Sequence, residues 1–126
     1  MSRCASTFAL MLALALPAAA QMQRNFTNQA LRGEVAFGQP PEVLLNGKPA
    51  RLAPGARIRD PNNLVLMPVT LAGRKAVVNY TSDLEGGLLD VWILTPQEAA
   101  KKPWPRTLQE AQTWSFSDDA QAWVKP

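Results

Sequence analysis

Between Ala30 and Leu94 the chain is cut at short intervals by turn-forming clusters: Gly38-Gln39-Pro40-Pro41, Asn46-Gly47, Ala53-Pro54-Gly55, Asp60-Pro61-Asn62-Asn63, Leu71-Ala72-Gly73-Arg74 and the loop Ser82–Gly87. Proline removes a backbone donor and fixes φ, and glycine and asparagine admit left-handed backbone. Punctuation this dense leaves room only for short elements. The residues between the clusters alternate as strands do.

Ala30–Phe37 sets Leu31, Gly33, Val35 and Phe37 on one face against Arg32, Glu34 and Ala36. Glu42–Leu45 and Lys48–Leu52 flank Asn46-Gly47, a pair suited to a type I′ hairpin. Pro49 makes the second arm an edge or irregular there. Ala56–Arg59 reads as a separate short strand beyond the Pro54-Gly55 turn, with Ile58 opposite Arg57 and Arg59. Leu64–Met67 is a further apolar run. Lys75–Tyr80 alternates Ala76, Val78 and Tyr80 against Lys75, Val77 and Asn79. Leu88–Leu94 predicts Leu89, Val91 and Ile93 inward, with Asp90 and Trp92 outward.

Two capping patterns follow. In Thr95-Pro96-Gln97-Glu98 the threonine can accept from the helix N–H groups, the proline fits the first helical position and the glutamate reaches back. Thr107–Glu110 repeats the pattern. Pro103 and Pro105 keep the first helix short. The expected fold is mainly all-β: a small antiparallel β-barrel, OB-like or SH3-like, of about six or seven short strands, with one or two short helical turns towards the C-terminus. Closure would remove exposed strand edges. The reading divides the chain into a signal at 1–20, a loose N-terminus at 21–29, a barrel domain ending in a short helix at 30–102, and a tail rich in Pro and Trp at 103–126. Within that tail Asp118–Pro126 reads as poorly fixed.

The N-terminus carries an export pattern. Arg3 precedes the apolar run Phe8–Leu16, Pro17 breaks it, and Ala18-Ala19-Ala20 offers small residues for cleavage before Gln21. The run is too short for a bilayer, which takes about 20 residues. Cleavage removes the single cysteine, Cys4, and with Arg3 takes the 13 basic residues to 12 against 10 acidic ones, net +2. The expected location is the periplasm. A disulfide-free small domain fits that compartment, the small net charge argues against nucleic acid as a partner, and the mature chain has no other membrane-length apolar run. Its oligomeric state is left open.

Histidine is absent. With Cys4 removed, the commonest zinc, copper and haem ligands are missing, as is any Ser–His or Cys–His nucleophile pair. The expectation is therefore a non-enzymatic protein with no cofactor, no metal site and no catalytic residue, binding a periplasmic protein or an anionic envelope component.

The segments LLNGKPARLAPGARIR (44–59) and VWILTPQEA (91–99) carry a resemblance. Through them the stretch Leu31–Glu98 resembles a loosely defined group of small exported proteobacterial proteins with no assigned activity. That resemblance implies a periplasmic β-rich domain and no catalytic role.

Three groups of residues invite a functional reading. Lys48, Arg51, Arg57, Arg59, Arg74 and Lys75 form a basic cluster that adjacent strands could bring to one face, where arginine suits phosphate or carboxylate. Its plainer reading is a set of solvated outward residues. Trp92 is a potential ligand platform; its plainer reading is cover by the helix after Thr95 or by the tail with Trp104, Trp114 and Phe116. Trp104, held between Pro103 and Pro105, is stiff enough to anchor the tail or dock a partner. Asp83, Glu85 and Asp90 are the carboxylates available to an alternative reading as a small hydrolase.

Overall fold

The computed structural model describes residues 24–126. The export signal read over 1–20 lies outside them. Six strands form the main sheet: Leu31–Phe37 (β1), Glu42–Leu45 (β2), Lys48–Arg59 (β3), Val65–Leu66 (β4), Lys75–Ser82 (β5) and Leu88–Ile93 (β6). Their order is β2-β1-β5-β6-β3-β4, and β2 also pairs with β3. Five strands therefore close into a barrel, with β4 as a short flap on β3. A closed five-stranded barrel of this connectivity is OB-like.

One pairing departs from the all-antiparallel expectation: β3 and β6 run parallel. A parallel pair needs a crossover, and residues 60–87, carrying β4, a 3-10 turn at Pro68–Leu71 and β5, supply it. The Asn46-Gly47 hairpin is as read, with φ values of 53° and 82°.

β3 is also one strand where two were expected. Pro54 and Gly55 do not reverse the chain. Gly55 takes a φ of 78°, and the register against β6 shifts between Leu52 and Arg57. The turn residues thus serve a bulge that bends a long strand around the barrel. A similar irregularity between Tyr80 and Ser82 resets the phase of β6. Leu88 is consequently the fully buried residue at the start of that strand, and Leu89, expected inward, is half-buried.

The barrel interior packs Val35, Phe37, Val43, Leu52, Ile58, Val78, Tyr80, Leu88 and Val91, and the 3-10 turn lays Leu71 into it. Gly33 faces the same interior. A Cβ there would lie 2.9 Å from Leu45 Cδ1 and 3.2 Å from Tyr80 Cε1, so both side chains occupy space that a residue larger than glycine would need.

A second core lies outside the barrel and corrects the reading of both chain ends. Phe26, Ala30, Leu94, Trp104 and Trp123 are buried together, with Trp92, Ala99, Ala111, Trp114 and Phe116 packed around them. The segment expected to be loose before Ala30 is pinned by Phe26, whose ring meets Trp92 at 5.5 Å and Trp104 at 5.9 Å, both edge-on. The stretch expected to be poorly fixed near the C-terminus is a hairpin of Ser115–Ser117 (β7) and Ala122–Val124 (β8), and Trp123 is its buried residue. Aromatic contacts of this kind each contribute about 0.5–1.5 kcal/mol beyond area burial. Pattern reading missed them because the tail's aromatics follow no period.

The two helices are those their caps announce: Pro96–Ala100 (α1) and Leu108–Thr113 (α2). Thr95 accepts from the Glu98 N–H at 3.1 Å, and the Glu98 carboxylate accepts from the Thr95 N–H at 2.9 Å. No helix among the described residues is long and apolar enough to cross a membrane.

Candidate functional site

The strand registers line up Arg32, Asn79, Trp92 and Arg59 across β1, β5, β6 and β3. Each alternates with a residue of the barrel interior, so the row lies on the barrel's outer wall, where the second core covers most of it.

Arg32 is the row's most committed member. It is buried, its Nε donates to Asn79 Oδ1 at 2.8 Å, and its terminal nitrogens donate to the carbonyls of Glu98, Ala99 and Lys101. The guanidinium therefore caps the end of α1, where unpaired carbonyls collect. It also lies 5.0 Å from the centre of the Trp104 ring. Burial pulls the guanidinium down to about 10, Glu98 pushes back upward and Arg106 adds to the fall; it remains charged at neutral pH. Asn79 is fully buried, and its Nδ2 has no hydrogen-bond partner among the described residues.

Alongside Arg32 the wall opens into a groove of about 820 Å³. Gly33, Glu34 and Val77 form its barrel side, the segment Lys102–Arg106 another side, and Glu110, Trp114 and Lys125 the third. Lys125 Nζ stands 5.3 Å from the centre of the Trp114 ring. The Trp104 side chain, buried beneath, donates from Nε1 to the Ala30 carbonyl at 2.9 Å. Lys102, Arg106 and Lys125 take part in no ion pair among the described residues. The groove therefore presents three cations free of ion pairs, the carboxylates of Glu34 and Glu110, the latter accepting from the Thr107 hydroxyl at 3.3 Å, and the indoles of Trp104 and Trp114 on one concave surface. Its volume falls in the range typical of small-molecule sites, about 300–1,000 Å³.

The residues singled out from sequence are dispersed. Trp104 alone lines this groove. Trp92 is half-buried under Phe26, so cover, and not an open platform, is its observed state. Arg59 lies 5.7 Å from the Trp92 ring centre and pairs with Asp90 at 3.4 Å. Arg57 is exposed, and its register partner is also Asp90. Arg51 lines a separate hollow of about 570 Å³ together with Asp83 and Glu85. Lys48, Arg74 and Lys75 are exposed and line neither cavity. Of the carboxylates, Asp83 accepts from the Glu85 and Gly87 N–H groups within its own turn, at 3.0 and 2.8 Å.

Sequence reading missed Arg32, Lys102, Arg106, Trp114 and Lys125 as a group. One signal was available: in Lys101-Lys102-Pro103-Trp104-Pro105-Arg106 a rigidly held indole is bracketed by cations. The remaining members come from β1, β5, α2 and the residues just after α2 and β8, which only the fold brings together.

A scan against protein-family models, a search of curated proteins and a search of solved structures each find no match to this chain.

Proposed function

We propose that the protein is an exported, non-catalytic binding module that holds an anionic component of the cell envelope in the groove between β1, the Lys102–Arg106 segment and the C-terminal hairpin. The observation that carries this reading is the convergence of Lys102, Arg106 and Lys125 with Trp114 on one ligand-sized concave surface. The N-terminal export pattern supports the compartment, and the resemblance to exported β-rich proteins is consistent with it. The absence of histidine and of a mature cysteine argues against most nucleophilic chemistry.

The hydrolase alternative draws little from Asp83 and Asp90, because turn N–H groups hold one carboxylate and Arg59 and Thr81 the other, and it rests on Glu85, which shares the Arg51 hollow with Asp83. Binding at the β3 face is weakened as a reading at Arg59, which Asp90 engages, while Arg57 is exposed. The test is retention of the purified protein on immobilised lipopolysaccharide and on peptidoglycan sacculi at low and high salt. Lys102→Glu with Arg106→Glu is expected to abolish salt-sensitive retention, while Arg57→Glu with Arg59→Glu preserves it. The reverse pattern would move the site to β3. No retention on either polymer would leave a protein partner, sought by crosslinking in the intact periplasm.

A further inference from the structure

We infer that the ligand of this groove is a saccharide carrying a single anionic group, a carboxylate or a phosphate, on an otherwise neutral hydroxylated ring. The inference rests on the groove being the binding site and goes on to name what enters it.

The lining decides between ligand classes by its mixed sign. Lys102, Arg106 and Lys125 suit an anion, but Glu34 and Glu110 share the same surface. A ligand with negative charge along its whole length would meet these carboxylates, and like-charge juxtaposition at an interface costs several kcal/mol. An ionised carboxylate only accepts hydrogen bonds, so its complement is a ligand with donors to offer. Sugar hydroxyls and acetamido N–H groups are such donors. One anionic substituent then satisfies the cations, and the ring's hydroxyls satisfy the glutamates.

The apolar part of the groove points the same way. Val77 is 42% exposed on the outer face of β5, and Trp114, half-buried, lines the same groove. An indole offers a broad apolar face with a polar edge, suited to a ligand that is itself apolar on its ring face and polar around its rim. Lys125, held against Trp114, places a cation at the margin of that platform. A linear acidic peptide also carries amide N–H donors, but its repeated carboxylates bring negative charge up against both glutamates.

The test is a titration of the purified protein, followed by tryptophan fluorescence and by amide shifts in a ¹H–¹⁵N spectrum. The probes are a muramyl disaccharide for the carboxylate, glucose 1-phosphate for the phosphate, neutral diacetylchitobiose, and a hexa-aspartate peptide. One of the two anionic sugars is expected to saturate, with shifts gathered at Val77, Trp114 and Lys125, and which one does so identifies the anion. Diacetylchitobiose should bind about tenfold more weakly, the loss expected when a charged hydrogen bond goes missing. Glu34→Gln, at an exposed site, should weaken the sugar and strengthen the peptide. Saturable groove shifts with hexa-aspartate alone would overturn the saccharide and leave the binding groove standing. Absence of groove shifts with every anionic probe would remove both.

Discussion

The Arg24 guanidinium meets the Glu98 carboxylate through two nitrogens, with Nε at 3.0 Å, across 74 positions of sequence. The same guanidinium donates to the carbonyls of Asp60 at 3.0 Å and Ile93 at 2.7 Å. One side chain thus fastens the N-terminal segment to the ends of β3 and β6 and to the first turn of α1. Both partners are largely shielded, at 5% and 11% side-chain exposure.

Acid should release this fastening. Desolvation pushes the Glu98 carboxyl up, but hydrogen bonds from Arg24 and Thr95 and the Arg24 charge together hold it below its ordinary value of 4.5. A carboxylate depressed by folding contributes stability that is present above the unfolded value and lost as pH falls through the folded one. Urea midpoints measured from pH 6 downward are therefore expected to drop below about pH 4.5, and Glu98→Gln should flatten that part of the profile. Arg24→Ala leaves the carboxylate shielded and unpaired, at a cost of about 3 kcal/mol at neutral pH.

Gln121 gives a second long-range prediction. Its Oε1 accepts from the Phe26 N–H at 2.7 Å, and its Nε2 donates to the Phe26 carbonyl at 3.2 Å. The amide stands in for a strand partner. Gln121→Ala leaves a buried donor and acceptor unpaired and should cost about 1–3 kcal/mol in chemical denaturation. Gln121→Glu removes the donor and brings a charge into the same buried place, so it should cost more.

Trp104 separates packing from hydrogen bonding. Trp104→Ala empties the centre of the second core and should cost about 3–5 kcal/mol. Trp104→Phe keeps an aromatic ring but strands the Ala30 carbonyl, for about 1–3 kcal/mol before any packing loss. Thermal melts followed by near-ultraviolet circular dichroism would rank the two.

Gly33 tests the barrel interior. In Gly33→Ala the new methyl reaches Leu45 Cδ1, which can move, and Tyr80 Cε1, which belongs to a rigid ring, so a cost of about 1–3 kcal/mol is expected. Gly33→Val should largely prevent folding. Both are readable in the dispersion of a ¹H–¹⁵N spectrum.

The parts of this fold that could be read from sequence are those written in local chemistry. The Thr95 box needs only four adjacent residues, and Asn46-Gly47 needs only a pair that tolerates left-handed φ. The β1 alternation of Leu31, Gly33, Val35 and Phe37 is also local. What escaped reading depends on distant partners. Pro54-Gly55 signals a turn in isolation, yet pairing with β6 holds the strand on course and leaves a bulge. The phase of β6 is set by an irregularity in its pairing with β5, so Leu88 and Leu89 could not be ordered from their own alternation. The candidate site was legible only at Trp104 and its basic flanks. Arg32 looked like a solvated strand residue because the helix end it caps lies 66 positions away.

The amide bridge from Gln121 to Phe26 also bears on how the molecule comes together in time. Its partners are 95 positions apart, so a chain emerging from its N-terminus holds Phe26 without its clamp until Gln121 has appeared. The parallel seam imposes a shorter delay of the same kind, since β3 waits for β6. Long-range pairings of this kind slow folding, because the loop must close before the contact rewards it. Such a chain stays open until that point, and it is the hairpin carrying Gln121 and Trp123 that turns a barrel with a bare aromatic flank into a sealed molecule.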